Sequence, residues 1–100
     1  MAGGFDWDEG NWPKCGKHGL TKAAIESVFH GPVYLFDDPH PPNMEKRHRA
    51  IGRTAEGRYV FVVFTLRDHG KQTNIRPVTA RYMHKKEIEH YERQKKDEDT

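Results

Sequence analysis

The chain has a single cysteine, Cys15, so no internal disulfide can form. Such usage fits a reducing compartment. No stretch approaches the roughly 20 apolar residues of a membrane span. The acidic start, MAGGFDWDEG, has no apolar segment of the kind a secretory leader needs. These absences predict a cytoplasmic location and no membrane partner. Glycine-rich phosphate loops and dinucleotide fingerprints are missing as well, which excludes the common nucleotide-cofactor motifs. Cys15 and His18 have the i,i+3 spacing of a metal pair, but no second Cys/His pair matches it, so neither a metal site nor a cofactor is expected. A cysteine nucleophile lacks support too, since no oxyanion-hole motif accompanies Cys15.

A large net charge is also lacking, because +2 is the balance of unlike segments. Residues 1–42 hold three Lys/Arg against six Asp/Glu, residues 43–96 hold fourteen against six, and residues 97–100 hold three acids. A basic stretch of this kind attracts nucleic acid or an acidic protein, and charge alone does not choose between them. With 34% apolar and 32% charged residues the composition is polar, yet the apolar run over 59–66 is enough to nucleate a packed core. One hundred residues predict one domain, over 1–96, followed by an acidic tail at 97–100. One layer of helix on one sheet is the natural architecture at this size.

The local patterns predict an α+β fold. In GFDWD, Phe5 and Trp7 alternate with acids, as in a short strand or extended arm. EGNWPKCGKHG is punctuated by glycine and proline and reads as a loop with one helical turn near Pro13. LTKAAIESVFHGP is the clearest helix: Thr21 caps it, Ala24, Ile25, Val28 and Phe29 form its apolar stripe, and Gly31 and Pro32 stop it. His30, near the negative end of that helix, reads as structural. A strand over 33–36 and a proline-stiffened loop over 37–43 follow. Two strands, about 47–54 and 58–67, flank a turn in which Gly57 supplies a positive φ. The second is apolar on both faces and should be central. After a turn at 68–72 comes a third strand, 73–81, in which Pro77 predicts an edge position or a bulge. A polar helix, about 84–96, closes the chain, with i,i+4 pairs Glu89–Arg93 and Glu92–Lys96.

Arg47, Arg49, Ile51 and Arg53 share one face of the first hairpin strand by the period-two rule. A bulge near Pro77 would bring Arg76 and Arg81 to related positions and align five arginines on one concave surface. Their planar forks suit phosphate, since each offers two parallel charge-assisted hydrogen bonds. The competing reading is an ordinary solvated sheet face. In GKHG, Lys17 and His18 sit in a glycine-flanked loop that allows close approach of a ligand. An imidazole there serves either as a general acid or base or as a hydrogen-bond anchor for the helix that follows. Phe5, Trp7 and Trp12 read as core or interface anchors.

Three blocks, FDWDEGN…K…KHGLTKAAIESVF, then E-K-R…IGRT…GR…VFVVFTLR, then IRPVTARYMHKKEIEHYE, together resemble the BrnT family of bacterial toxins over most of the chain. The matching positions include Trp7, Asp8, Lys17, His18, Gly19, Glu45, Arg47, Gly52, Arg53, Arg76, Ala80, Arg81 and Tyr91. The resemblance implies a RelE-like fold, a small antiparallel sheet with packed helices. It implies a ribonuclease toxin of a type II module, held by a BrnA-like ribbon-helix-helix antitoxin, with operator DNA contacted only through that antitoxin. RNA, free or on the ribosome, is the implied substrate. Metal-free cleavage needs a base for the ribose 2′-OH, an acid for the leaving 5′-oxygen and cations for the phosphorane. The implied catalytic set is His18 as acid/base, Glu45 second, Lys17 assisting, with Arg53, Arg76 and Arg81. Phosphate binding falls to Arg47, Arg49, Arg53, Arg76 and Arg81. The alternative is a non-catalytic basic module that holds an antitoxin or nucleic acid without cleaving it.

Overall fold

The computed structural model describes residues 2–38 and 45–98. The elements, in chain order, are β1 (Ala2–Phe5), α1 (Trp12–Gly16), α2 (Lys22–Val28), β2 (Val33–Asp38), β3 (Arg47–Arg53), β4 (Tyr59–His69), β5 (Gln72–Tyr82) and α3 (Lys85–Glu98). The five strands form one sheet in the order β1-β5-β4-β3-β2. All pairings are antiparallel except β1 with β5, which is parallel. The fold is α+β, as the patterns predict, and the apolar strand β4 is central. Most of the proline-stiffened loop expected at 37–43 lies outside the described residues. α3 continues through Glu98, two residues into the stretch expected as an acidic tail.

Two strand expectations are sharpened. The turn after β4 is tighter than 68–72: the strands run on to His69 and from Gln72, and Gly70 takes the positive φ of 69° that a short turn requires. β1 lies outside β5 only as far as Ile75, so Pro77 stands where the strand is locally an edge. It also sits at a register shift, where the single step from Val63 to Phe64 on β4 spans two steps, Thr79 to Pro77, on β5. The parallel neighbour has ended by this point. Its continuation bonds through the Asp6 N–H to the Ile75 carbonyl, and the Asn11 side chain then donates to the Pro77 carbonyl at 2.9 Å. The bulge absorbs the residue that cannot donate to the ladder.

α1 and α2 cover one face of the sheet. Cys15, Leu20, Ile25 and Val28 pack there against Ala50, Val60, Val62, Phe64 and Ala80, all buried. Thr21 caps α2, its hydroxyl accepting the Ala24 N–H at 3.0 Å. Gly52 lets α2 approach closely: a Cβ there would lie 2.8 Å from Val28 Cγ1. The expected single helical layer is corrected by α3, which crosses the other face. Tyr34 and Tyr59 need cover on that side, and Tyr91 supplies it with edge-on ring contacts at 5.8 and 5.7 Å. Among the described residues no helix is long and apolar enough to cross a membrane.

Candidate nucleic-acid interface

The strand register decides where the arginines go. Arg49 stands opposite Val63, Arg53 opposite Tyr59, Arg81 opposite Phe61 and Arg76 opposite Thr65. Directly paired residues point to the same side, and 59, 61, 63 and 65 alternate along β4 onto one side. Arg47 joins Arg49 and Arg53 by the same alternation. All five arginines therefore leave the sheet on the α3 side. Arg76 and Arg81 are five residues apart, and in a regular strand they would point oppositely. The extra residue of the bulge restores their phase.

Arg49, Arg53, Arg76 and Arg81 each have a partner among the described residues. Arg81 makes two contacts with Glu87, Nη1 to Oε1 at 2.7 Å and Nη2 to Oε2 at 2.8 Å. Arg76 makes two with Asp8, at 2.8 and 3.1 Å. Arg53 donates to the Tyr59 hydroxyl at 2.7 Å. Arg49 lies 5.9 Å from the ring centres of both Phe36 and Phe61, and Arg81 lies 5.1 Å from that of Phe61. These partners move the titrations in the expected directions. The hydrogen bonds from Arg76 lower the Asp8 carboxyl to about 2, and those from Arg81 lower that of Glu87 to about 2. The guanidinium groups of Arg76 and Arg81 are raised by the same contacts. Arg76 and Arg81 thus each present a two-point fork, the geometry that also suits phosphate, and each is met by a carboxylate. Cross-strand from Arg76, Thr65 is only 3% exposed, and its buried hydroxyl has no hydrogen-bond partner among the described residues.

The other predicted site residues divide. Glu45, just before β3, accepts from Arg67 of β4 at 2.7 Å, and its charge also acts on Arg76. It belongs to the arginine side. Lys17 and His18 are exposed on the link between α1 and α2, in the layer that covers the opposite face. No contact among the described residues joins them to the five arginines. Cys15 is fully buried in the core, and burial pushes its thiol up to about 11. Among the described residues no three His, Cys, Asp or Glu side chains are placed to hold a metal ion.

Sequence reasoning gave no site role to three charged residues, Asp8, Glu87 and Arg67, or to four aromatic rings. Asp8 gives no local signal, because its partner is 68 residues away. Glu87 had one: it is three residues after His84, whose N–H it accepts at 3.0 Å in half of a capping box. Arg67 could have been found by extending the β4 alternation from Phe61 and Thr65. The aromatic rings of Tyr34, Phe36, Phe61 and Tyr91 border a cavity of about 800 Å³ between the sheet and α3. Only the spacing of Tyr34 and Phe36 on β2 hints at it.

A comparison with curated proteins gives no match. The model of the family described as "Ribonuclease toxin, BrnT, of type II toxin-antitoxin system" matches residues 7–87, which include Asp8, all five arginines and Glu87.

Proposed function

Because the chain belongs to the BrnT family of ribonuclease toxins of type II toxin–antitoxin systems, we propose that its arginine-bearing sheet face holds an RNA phosphodiester and stabilises its cleavage without a metal ion. The ribose 2′-oxygen attacks the adjacent phosphorus, the 2′-O–P bond forms and the P–O5′ bond breaks. A base takes the 2′-hydroxyl proton, and an acid returns one to the 5′-oxygen. Arg76 and Arg81 are assigned the phosphorane charge, with Arg53 near Arg81 in the strand register and Arg47 and Arg49 holding flanking phosphates. The observation that carries this reading is the bulge at Pro77, which sets Arg76 in phase with Arg81 inside the family match.

Two assignments of the proton transfers follow. Glu45 is on the arginine side and already polarised by Arg67. His18, assisted by Lys17, is the other acid/base candidate; it lies exposed on the link after α1, and no contact among the described residues joins it to the arginines. The partner is a protein antitoxin, and we assign it the BrnA-like ribbon-helix-helix type, with operator DNA bound through it and with RNA, free or on the ribosome, as the substrate. The α+β sheet with helices on both faces is compatible with a RelE-like architecture.

The test is expression without the antitoxin, followed by RNA cleavage with purified protein in excess chelator. Arg76→Ala and Arg81→Ala should each lower the rate by about 10²–10³. The double variant Lys95→Ala/Lys96→Ala should alter mainly salt-dependent encounter. Glu45→Gln and His18→Asn separate the two proton-transfer assignments. Undiminished toxicity of both arginine variants, once circular dichroism shows them folded, would sink the site. A second reading, a basic module that binds without cleaving, is favoured by one observation: Arg76 and Arg81 are both already engaged by carboxylates. It predicts RNA binding with no cleavage products.

A further inference from the structure

The cavity between the sheet and α3 joins the arginine face but is not itself a phosphate site. Its floor is aromatic. Phe61 and Phe36 are half-buried on β4 and β2 rather than packed away, and the Arg49 guanidinium lies 5.9 Å from both ring centres. Tyr91 of α3 forms the opposite wall, and Lys86 stands exposed on the rim. Among the described residues that line the cavity the one carboxylate, Glu87, is occupied by Arg81. The space is therefore bordered by flat π surfaces and a guanidinium plane, with cations at the edge. At about 800 Å³ it falls within the roughly 300–1,000 Å³ typical of small-ligand sites.

We propose that this cavity is a nucleobase subsite, in which a base of single-stranded RNA stacks on Phe61 and Phe36 while its phosphates run toward Arg81 and Lys86. The inference rests on the ribonuclease reading and deepens it by naming the groups that select RNA position. Stacking suits the chemistry of the walls because every base has a π face, and both aromatic rings and arginine planes accept one. A protein segment would also find apolar cover here. The positive rim and the guanidinium beside two rings favour a polyanion with planar groups over an antitoxin side chain. Arg81 links the two sites physically: it lies 5.1 Å from the Phe61 ring centre and also faces Glu87, so a base seated on Phe61 positions its neighbouring phosphate at Arg81.

The experiment uses the full chain and a short, fully 2′-O-methylated RNA that cannot be cleaved through the 2′-oxygen, with 2-aminopurine placed at each position in turn. One position should be quenched on binding. Phe61→Leu, which keeps apolar volume but removes the ring, should abolish that quench and weaken binding roughly tenfold. Phe61→Tyr should restore both. Lys86→Ala, on the exposed rim, keeps the test open should Phe61→Leu fail to fold; it should weaken binding and lower the salt slope by about one. Binding without quench, or equal quench in Phe61→Leu, overturns the subsite and leaves the ribonuclease reading standing. If Phe61→Leu instead weakens only the antitoxin, the cavity is a protein-docking surface and the subsite is wrong. Absence of RNA cleavage by the wild-type chain overturns the ribonuclease reading itself, and the subsite with it.

Discussion

Arg81 and Glu87 face each other in a two-point contact that fastens the first turn of α3 to the end of β5. Glu87 also accepts the His84 N–H, so one carboxylate caps the helix and engages a proposed catalytic guanidinium. A carboxylate in this geometry offers two oxygens as a phosphate does. On the proposed reading, RNA would displace it or share the arginine with it.

The Glu87 carboxyl should titrate at about 2, held down first by the Arg81 hydrogen bonds and then by the His84 N–H. A depressed carboxyl contributes stability above its unfolded value, about 4.3, and loses it as pH falls toward the folded one. The contribution is thus complete between pH 5 and 8 and disappears between roughly pH 4 and 2. Carboxyl-detected NMR should place the midpoint there, and Arg81→Ala should return it most of the way to the ordinary value. A wild-type midpoint near 4 would mean that the contact is not populated in solution.

Cys15 should be inert. It is fully buried, and burial raises its thiol to about 11, so the thiolate fraction at neutral pH is small. A thiol reagent should label it only as fast as the domain opens, with full labelling in denaturant. Zinc should not co-purify through Cys15 and His18, since the first faces the core and the second is exposed. Fast native labelling, or stoichiometric zinc lost on Cys15→Ser, would contradict the packing of α1.

Three substitutions probe the sheet from its two sides. Phe64 is 5% exposed and stacks edge-on with Phe29 at 5.4 Å, so Phe64→Ala should cost about 3–5 kcal/mol. Gly52→Ala drives a methyl into Val28 and should cost about 1–3 kcal/mol. Thr65→Val removes a buried hydroxyl that has no partner among the described residues and should be neutral or stabilising. Urea unfolding gives all three. A large loss in Thr65→Val would reveal a hydrogen bond, through water or otherwise, at that hydroxyl.

What was legible in the sequence follows from which forces act locally. Alternation set Arg47, Arg49 and Arg53 on one face because a strand has a period of two whatever surrounds it. Pro77 announced its bulge because a missing N–H must be accommodated wherever the chain goes. Thr21 and Gly57 did their work within four residues of themselves. The Asp8–Arg76 contact was not legible, since it depends on β1 adding in parallel outside β5. The second helical layer was hidden for a similar reason. α3 has a thin apolar stripe and touches the sheet mainly through Tyr91 and Glu87, which look like surface residues until Tyr34, Tyr59 and Arg81 are placed beneath them.

The antitoxin should cover the arginine face, because blocking a cationic site is most direct with an acidic or hydrogen-bonding surface laid over it. Arg53 is exposed, and Arg47 and Arg49 are half-exposed on the same strand. Their charges act on an approaching partner over a Debye length, about 10 Å at 0.1 M salt and about 3 Å at 1 M. Raising salt should therefore slow association more than it speeds dissociation, and Arg47→Glu/Arg53→Glu should reproduce the slowing at low salt. Stopped-flow association with the antitoxin measures both. Hydrogen exchange of the complex should show protection along β3 and the start of α3. Protection confined to α2, on the opposite layer, would place the antitoxin on the helical side and leave the arginines open to RNA.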